Sequence, residues 1–120
     1  MAIPGAEKFL PYANLDEGII RVANNKGLYA KLLGKIMEDK NYSLLTEDMA
    51  ADDIPNALAH VHAIKGVSAN LSLTDLNEKC IALEADMKEG GANKAALFEA
   101  LKTSYAETQN VLPQVISFLS

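Results

Sequence analysis

The sequence predicts an all-α fold: an antiparallel up-and-down four-helix bundle with a short extra N-terminal helix. Apolar residues recur at steps of three and four through most of the chain, the period of a helix with one buried face. Capping residues and Gly or Pro breaks cut that pattern into segments. No β signal competes, neither an alternating run of β-branched residues nor an Asn-Gly or Asp-Gly hairpin turn. Composition agrees, with only seven glycines and four prolines among abundant Ala, Leu, Lys and Glu, all good helix formers.

Residues 1–13, with Pro4, Gly5 and Pro11, read as an irregular lead-in. Asn14-x-x-Glu17 then forms a capping-box pattern ahead of Ile19, Ile20 and Val22 and marks a short first helix. Asn24-Asn25 interrupts it, because both side chains compete for backbone hydrogen bonds and favour caps and turns. A second helix is predicted from about Lys26 to about Lys40, with Leu28, Tyr29, Leu32, Leu33, Ile36 and Met37 as its apolar stripe. Asn41-Tyr42 is a candidate break, and 43–51 reads equally as a continuation or as a separate short helix. Asp52-Asp53-Ile54-Pro55 starts the third helix: Asp53 can cap, and proline suits a first turn that needs no N–H there. That helix runs to about Leu71. Ser72-x-x-Asp75 is a second capping-box pattern, opening a fourth helix that carries Leu76, Cys80, Leu83 and Met87 and ends at Gly90-Gly91. Asn93 is placed to cap the fifth, along which Leu97, Phe98, Leu101, Tyr105, Leu112 and Val115 recur. Pro113 lies inside that pattern and is expected to kink or divide the helix. The short connections favour antiparallel neighbours.

A chain of 120 residues fits a single domain, 1–120, with no room for a second of ordinary size. Apolar residues make up 49% of it, enough for a core and unlike a disordered composition. The net charge is −5, and Lys and Arg are nowhere concentrated, which argues against nucleic acid as a partner. No apolar run approaches the roughly 18 residues of a membrane span, and no basic segment followed by an apolar one opens the chain. The lone cysteine, Cys80, allows no intrachain disulfide and suits a reducing compartment. The expected setting is cytoplasmic, as a monomer away from membranes.

The chemistry concentrates in Ala59-His60-Val61-His62-Ala63-Ile64-Lys65-Gly66-Val67-Ser68-Ala69-Asn70-Leu71. A helix turns roughly 100° per residue. With Val61 facing the core, Ala57, Ile64, Ser68 and Leu71 share its side, and His60 borders the same apolar arc. His62 points roughly 160° away from His60, among Pro55, Ala59, Gly66 and Ala69. Those neighbours are small and leave the imidazole open to a partner. Gly66 costs its helix up to about 1 kcal/mol relative to alanine. Steric access to His62 explains that cost better than close helix packing. Lys65 can lean toward the same site, where its ammonium would offset the charge of a phosphoryl group. His60 reads as a core or boundary residue, and Cys80 as a buried thiol.

His60-x-His62 is no metal pair, because helical ligand pairs are spaced i, i+4; no metal site is expected. No Ser/His/Asp or Cys/His signature, phosphate-binding P-loop or kinase Gly-rich loop is present. The chain therefore has no visible ATP site of its own.

His62-Ala63-Ile64-Lys65-Gly66 resembles the H-x-L-K-G signature of histidine-containing phosphotransfer (HPt) domains, with isoleucine for leucine. Val67 to Leu71 is similar to the small-residue run that follows it in the family. Leu28-Tyr29 to Leu33 resembles the family's L-Y-x-x-L-L helix, Met49 to Ala59 its A-L-x-x-x-D approach to the histidine, and Leu83-Glu84 its L-E pair. The resemblance covers roughly residues 15–105. Two departures stand out: Ser72 replaces a common glycine, and the segment between the second and third helices is slightly short.

The resemblance implies a phosphorelay intermediate rather than an enzyme. A receiver-domain phosphoaspartate would donate to His62, through Nε2, and a second receiver aspartate would later take the group. Lys65 and Gly66 would form the phosphate environment, and Pro55, Ala59 and Ala69 the partner surface. No cofactor is expected on this chain; the Mg2+ belongs to the receiver. Response-regulator receivers are the implied partners, with a hybrid sensor kinase as a further candidate. The alternatives are a helical docking module for receiver or kinase domains that carries no phosphate, and a structural bundle from a larger kinase.

Overall fold

The computed structural model describes residues 3–120, which form helices joined by short turns, with no strand among the described residues. Residues 1 and 2 of the predicted lead-in lie outside that range. The rest of the lead-in is less irregular than expected. Ala6–Phe9 makes one 3-10 turn, and Ala6, Phe9 and Ala13 are buried.

Helix α1 spans Leu15–Arg21 and is capped by Asn14, whose side chain accepts from the Glu17 amide. Helix α2 spans Lys26–Met37, with Asn25 capping through the Leu28 amide. It stops three residues before the predicted Lys40. The chain then re-enters a separate helix, α3, at Asn41–Ala50, so residues 43–51 do not continue α2. The third predicted helix is α4, Ile54–Asn70, capped by Asp53 with proline in its first turn. Helices α5, Thr74–Lys88, and α6, Lys94–Leu119, complete the chain.

Three local expectations fail for identifiable reasons. Ser72 does not cap α5; it sits at φ 55°, and its hydroxyl donates instead to Glu17 Oε1 at 2.9 Å. The α5 N-terminus is satisfied from the lead-in, where the Pro11 carbonyl accepts from the Asp75 amide at 3.0 Å. Asn93 precedes α6 but makes no side-chain cap; its amide donates to the Asp86 carboxylate. Pro113 does not divide α6, which runs on to Leu119. Leu112 and Val115 on either side of it are buried, and that packing holds the helix together across the missing N–H.

Helix α4 packs between α3 and α5, α5 also packs on α6, and α6 packs on α2. Each presents an apolar stripe to one core that includes Tyr29 and Leu33, Leu45, Val61 and Ile64, Leu83, and Leu101. Cys80 is buried in it, and burial pushes its thiol up to about 12. α4 therefore keeps one side in the core and leaves the other to solvent.

Candidate functional site

His62 is the ninth of seventeen residues in α4, far from either fraying end. The core positions Ala57, Val61, Ile64 and Ser68 fix the helix roll, and that roll turns His62 outward with its side chain 69% exposed. His60 turns the other way, toward α3. Its side chain is 25% exposed, and Nδ1 lies 2.5 Å from Asp48 Oδ2. The two histidines diverge as the helical wheel requires.

His62 Nδ1 sits 2.8 Å from Oε2 of Glu84 on α5. A carboxylate only accepts, so Nδ1 carries the proton and donates. That assignment leaves Nε2 with its lone pair free. The other oxygen, Oε1, accepts from Lys65 Nζ, and Lys88 Nζ approaches the same atom at 3.9 Å. The Glu84 side chain is only 7% exposed. Burial pushes its carboxyl up, but hydrogen bonds from Lys65 and His62, with the charges of Lys65 and Lys88, outweigh burial and hold it below the ordinary glutamate value. Glu84 is thus an ionised hub that fixes the imidazole tautomer and draws two ammonium groups to the same spot.

The predicted residues meet in part. Lys65 joins His62 through Glu84, so its ammonium is already paired. Pro55, Ala59, Gly66 and Ala69 are all exposed. A Cβ built at Gly66 meets nothing within 4 Å, which removes close helix packing as the reason for that glycine. Across from this face, α2 contributes Leu32 and Lys35 to a groove shared with Val67, Asn70 and Leu71 of α4.

Three participants were not singled out in the sequence. Glu84 had a signal in the Leu83-Glu84 pair, but its reach to His62 is a contact between residues 22 apart. Lys88 follows it by one turn. Ile81, one turn before Glu84, is 49% exposed; it falls off the Cys80, Leu83, Met87 stripe, and that was its only signal. Among the described residues no group of three or more His, Cys, Asp or Glu could hold a metal ion.

Comparison with known families gives one match: the family described as Hpt domain, over residues 31–111. That span begins within α2, ends within α6 and contains His62, Lys65, Glu84 and Lys88. No curated protein and no solved structure matches the chain significantly.

Proposed function

The chain belongs to the Hpt-domain family, phosphocarriers of histidine phosphorelays that work with response-regulator receiver domains, and on that premise we propose that His62 carries the phosphoryl group. The observation that supports this is an exposed imidazole whose Nδ1 is held by Glu84, leaving Nε2 as a free nucleophile toward solvent.

The proposed step balances without a general base. The Nε2 lone pair attacks the phosphorus of a receiver's aspartyl phosphate. The Nε2–P bond forms as the P–O bond to the aspartate breaks, and the aspartate leaves with that electron pair. The ring becomes an N-phosphoimidazolium that keeps its Nδ1 proton, and the ionised Glu84 stabilises the positive charge. Lys65 and Lys88 stand ready to offset the phosphoryl charge. Transfer to a second receiver aspartate reverses the bond changes. Any Mg2+ required belongs to the receiver, and this chain supplies no cofactor.

Pro55, Ala59, Ala69 and Gly66, with Ile81 on α5 and the α2 rim, form the proposed docking surface. Its small side chains keep the approach to Nε2 open. The short connections between α4 and α5 and between α5 and α6 support an antiparallel up-and-down bundle of α2, α4, α5 and α6. The continuous core from Ala6 to Val115 supports a single domain. No helix among the described residues is long and apolar enough to cross a membrane; we place the protein in the cytoplasm, as a monomer, with receivers or a hybrid kinase as partners.

The test is labelling by phosphorylated receivers. The adduct should be acid-labile and base-stable, as a phosphoramidate is. His62→Gln should abolish it, and His60→Gln should retain it. Label that persists in the His62 variant overturns the assignment. Receiver binding without any label on the wild type would make the chain a docking module instead.

A further inference from the structure

We propose that Ser72, Glu17 and Arg21 form a specificity element at the rim of the phosphotransfer face, where Arg21 meets an acidic side chain of the docked receiver domain. The proposal rests on His62 as the phosphoacceptor.

Ser72 holds φ 55°, a left-handed conformation that glycine adopts freely and a residue with a Cβ does not. It is buried, and its hydroxyl donates to Glu17 Oε1 at 2.9 Å. Its carbonyl accepts from the Asn14 amide at 2.9 Å. The turn after α4 therefore grips α1 through both backbone and side chain. Glu17 Oε1 in turn accepts from Arg21 Nε at 3.3 Å. The Arg21 side chain is 49% exposed, and its terminal nitrogens have no other protein partner among the described residues.

This chain of contacts borders the face that carries His62. Glu17, Arg21, Ala69, Ser72, Thr74 and Asn77 line one shallow depression between α1, α4 and α5. Ala69 lies two turns beyond His62, about 10 Å along α4. Asn77 Nδ2 donates to the Lys65 carbonyl at 2.9 Å, which joins the depression directly to the Glu84 hub. An ordinary interface covers about 800 Å² on each partner, a disc of roughly 16 Å radius, so a receiver centred on His62 reaches Arg21 at its edge. Rim charges steer encounter and discriminate partners without entering the chemistry. The chain carries a net charge of −5, and Glu84 already engages Lys65 and Lys88. Arg21 is then the cation on this rim free to meet a partner that holds Mg2+ through carboxylates.

The experiment uses the full chain and a receiver domain, charged with acetyl phosphate, that labels the wild type. Initial transfer rates against receiver concentration separate KM from kcat. Arg21→Glu should raise KM about two- to fivefold with kcat unchanged, and the rise should shrink at high salt. Ser72→Gly suits the backbone and removes only the hydroxyl, so it should raise KM without lowering the thermal midpoint. An unchanged KM in Arg21→Glu, or a fall in kcat, overturns the proposal while leaving His62 in place. A raised KM in Arg21→Glu alone overturns the role of Ser72. A wild type that no receiver labels overturns both the proposal and the phosphotransfer reading.

Discussion

His60 and His62 are the same residue type two positions apart, and their environments differ through one helical roll and one carboxylate. His60 meets Asp48 at the α3 boundary, while His62 meets Glu84 and keeps its far nitrogen exposed. Glu84 is the residue on which the electrostatics turn, and replacing it with glutamine isolates its charge. Glutamine can still accept from Nδ1 but cannot counter an imidazolium. Transfer should slow about five- to tenfold, the factor for roughly 1 kcal/mol of charge-assisted hydrogen bonding. Stability gives a second measurement. The folded Glu84 carboxyl lies below its ordinary value, so its contribution is fully present above that ordinary value and is lost as pH falls through the lowered one. Thermal melts should therefore show wild type above Glu84→Gln at neutral pH, with the gap closing in acid. A gap that widens in acid would contradict the ion-paired state.

At the scale of the element, α4 combines a well-packed inner face with an outer face of small residues. Gly66 shows the trade most clearly. Glycine inside a helix is up to about 1 kcal/mol worse than alanine, and here a Cβ would meet only open space. Gly66→Ala should thus raise the thermal midpoint, by about 4 °C for a protein of this size. Gly66→Gln should leave helicity intact and slow transfer by more than about twofold, because its side chain occupies the approach to His62. Circular dichroism and transfer kinetics on the two variants separate the effects. A glutamine variant that transfers at the wild-type rate would remove steric access as the reason for the glycine.

The whole molecule is tied together by contacts between segments distant in sequence. The Tyr29 hydroxyl donates to the Leu71 carbonyl at 2.6 Å, across 42 residues, and its ring lies against Gly18 of α1. A Cβ at Gly18 would stand 2.5 Å from the Tyr29 ring and hydroxyl. Tyr29 is fully buried and cannot swing away without giving up its bond. Gly18→Ala should therefore lower stability by about 1–3 kcal/mol, read as a lower urea midpoint at unchanged slope. An unshifted midpoint would mean that α1 can move off α2. The lead-in contributes similarly, with Pro11 capping α5 and Phe9 edge-on to Phe118 at 5.2 Å between ring centroids.

Helix periodicity, the Asn14, Asn25 and Asp53 caps, the outward direction of His62 and the divergence of His60 were all legible in the sequence. They depend on interactions within a few residues, and the 3.6-residue period carries them without reference to the rest of the chain. The break that makes α3 a separate helix and the failure of the Ser72 cap were not legible. Neither were the continuity of α6 through Pro113 and the tautomer of His62. Each was decided by a partner remote in the chain: Glu17 drew Ser72 out of its capping role, core packing carried α6 past its proline, and Glu84 set which imidazole nitrogen is free. Local pattern determines which elements form and which way their faces point. Only the packed tertiary structure decides which polar groups meet, because a hydrogen bond needs its partners within about 3 Å and only the packed fold brings them that close.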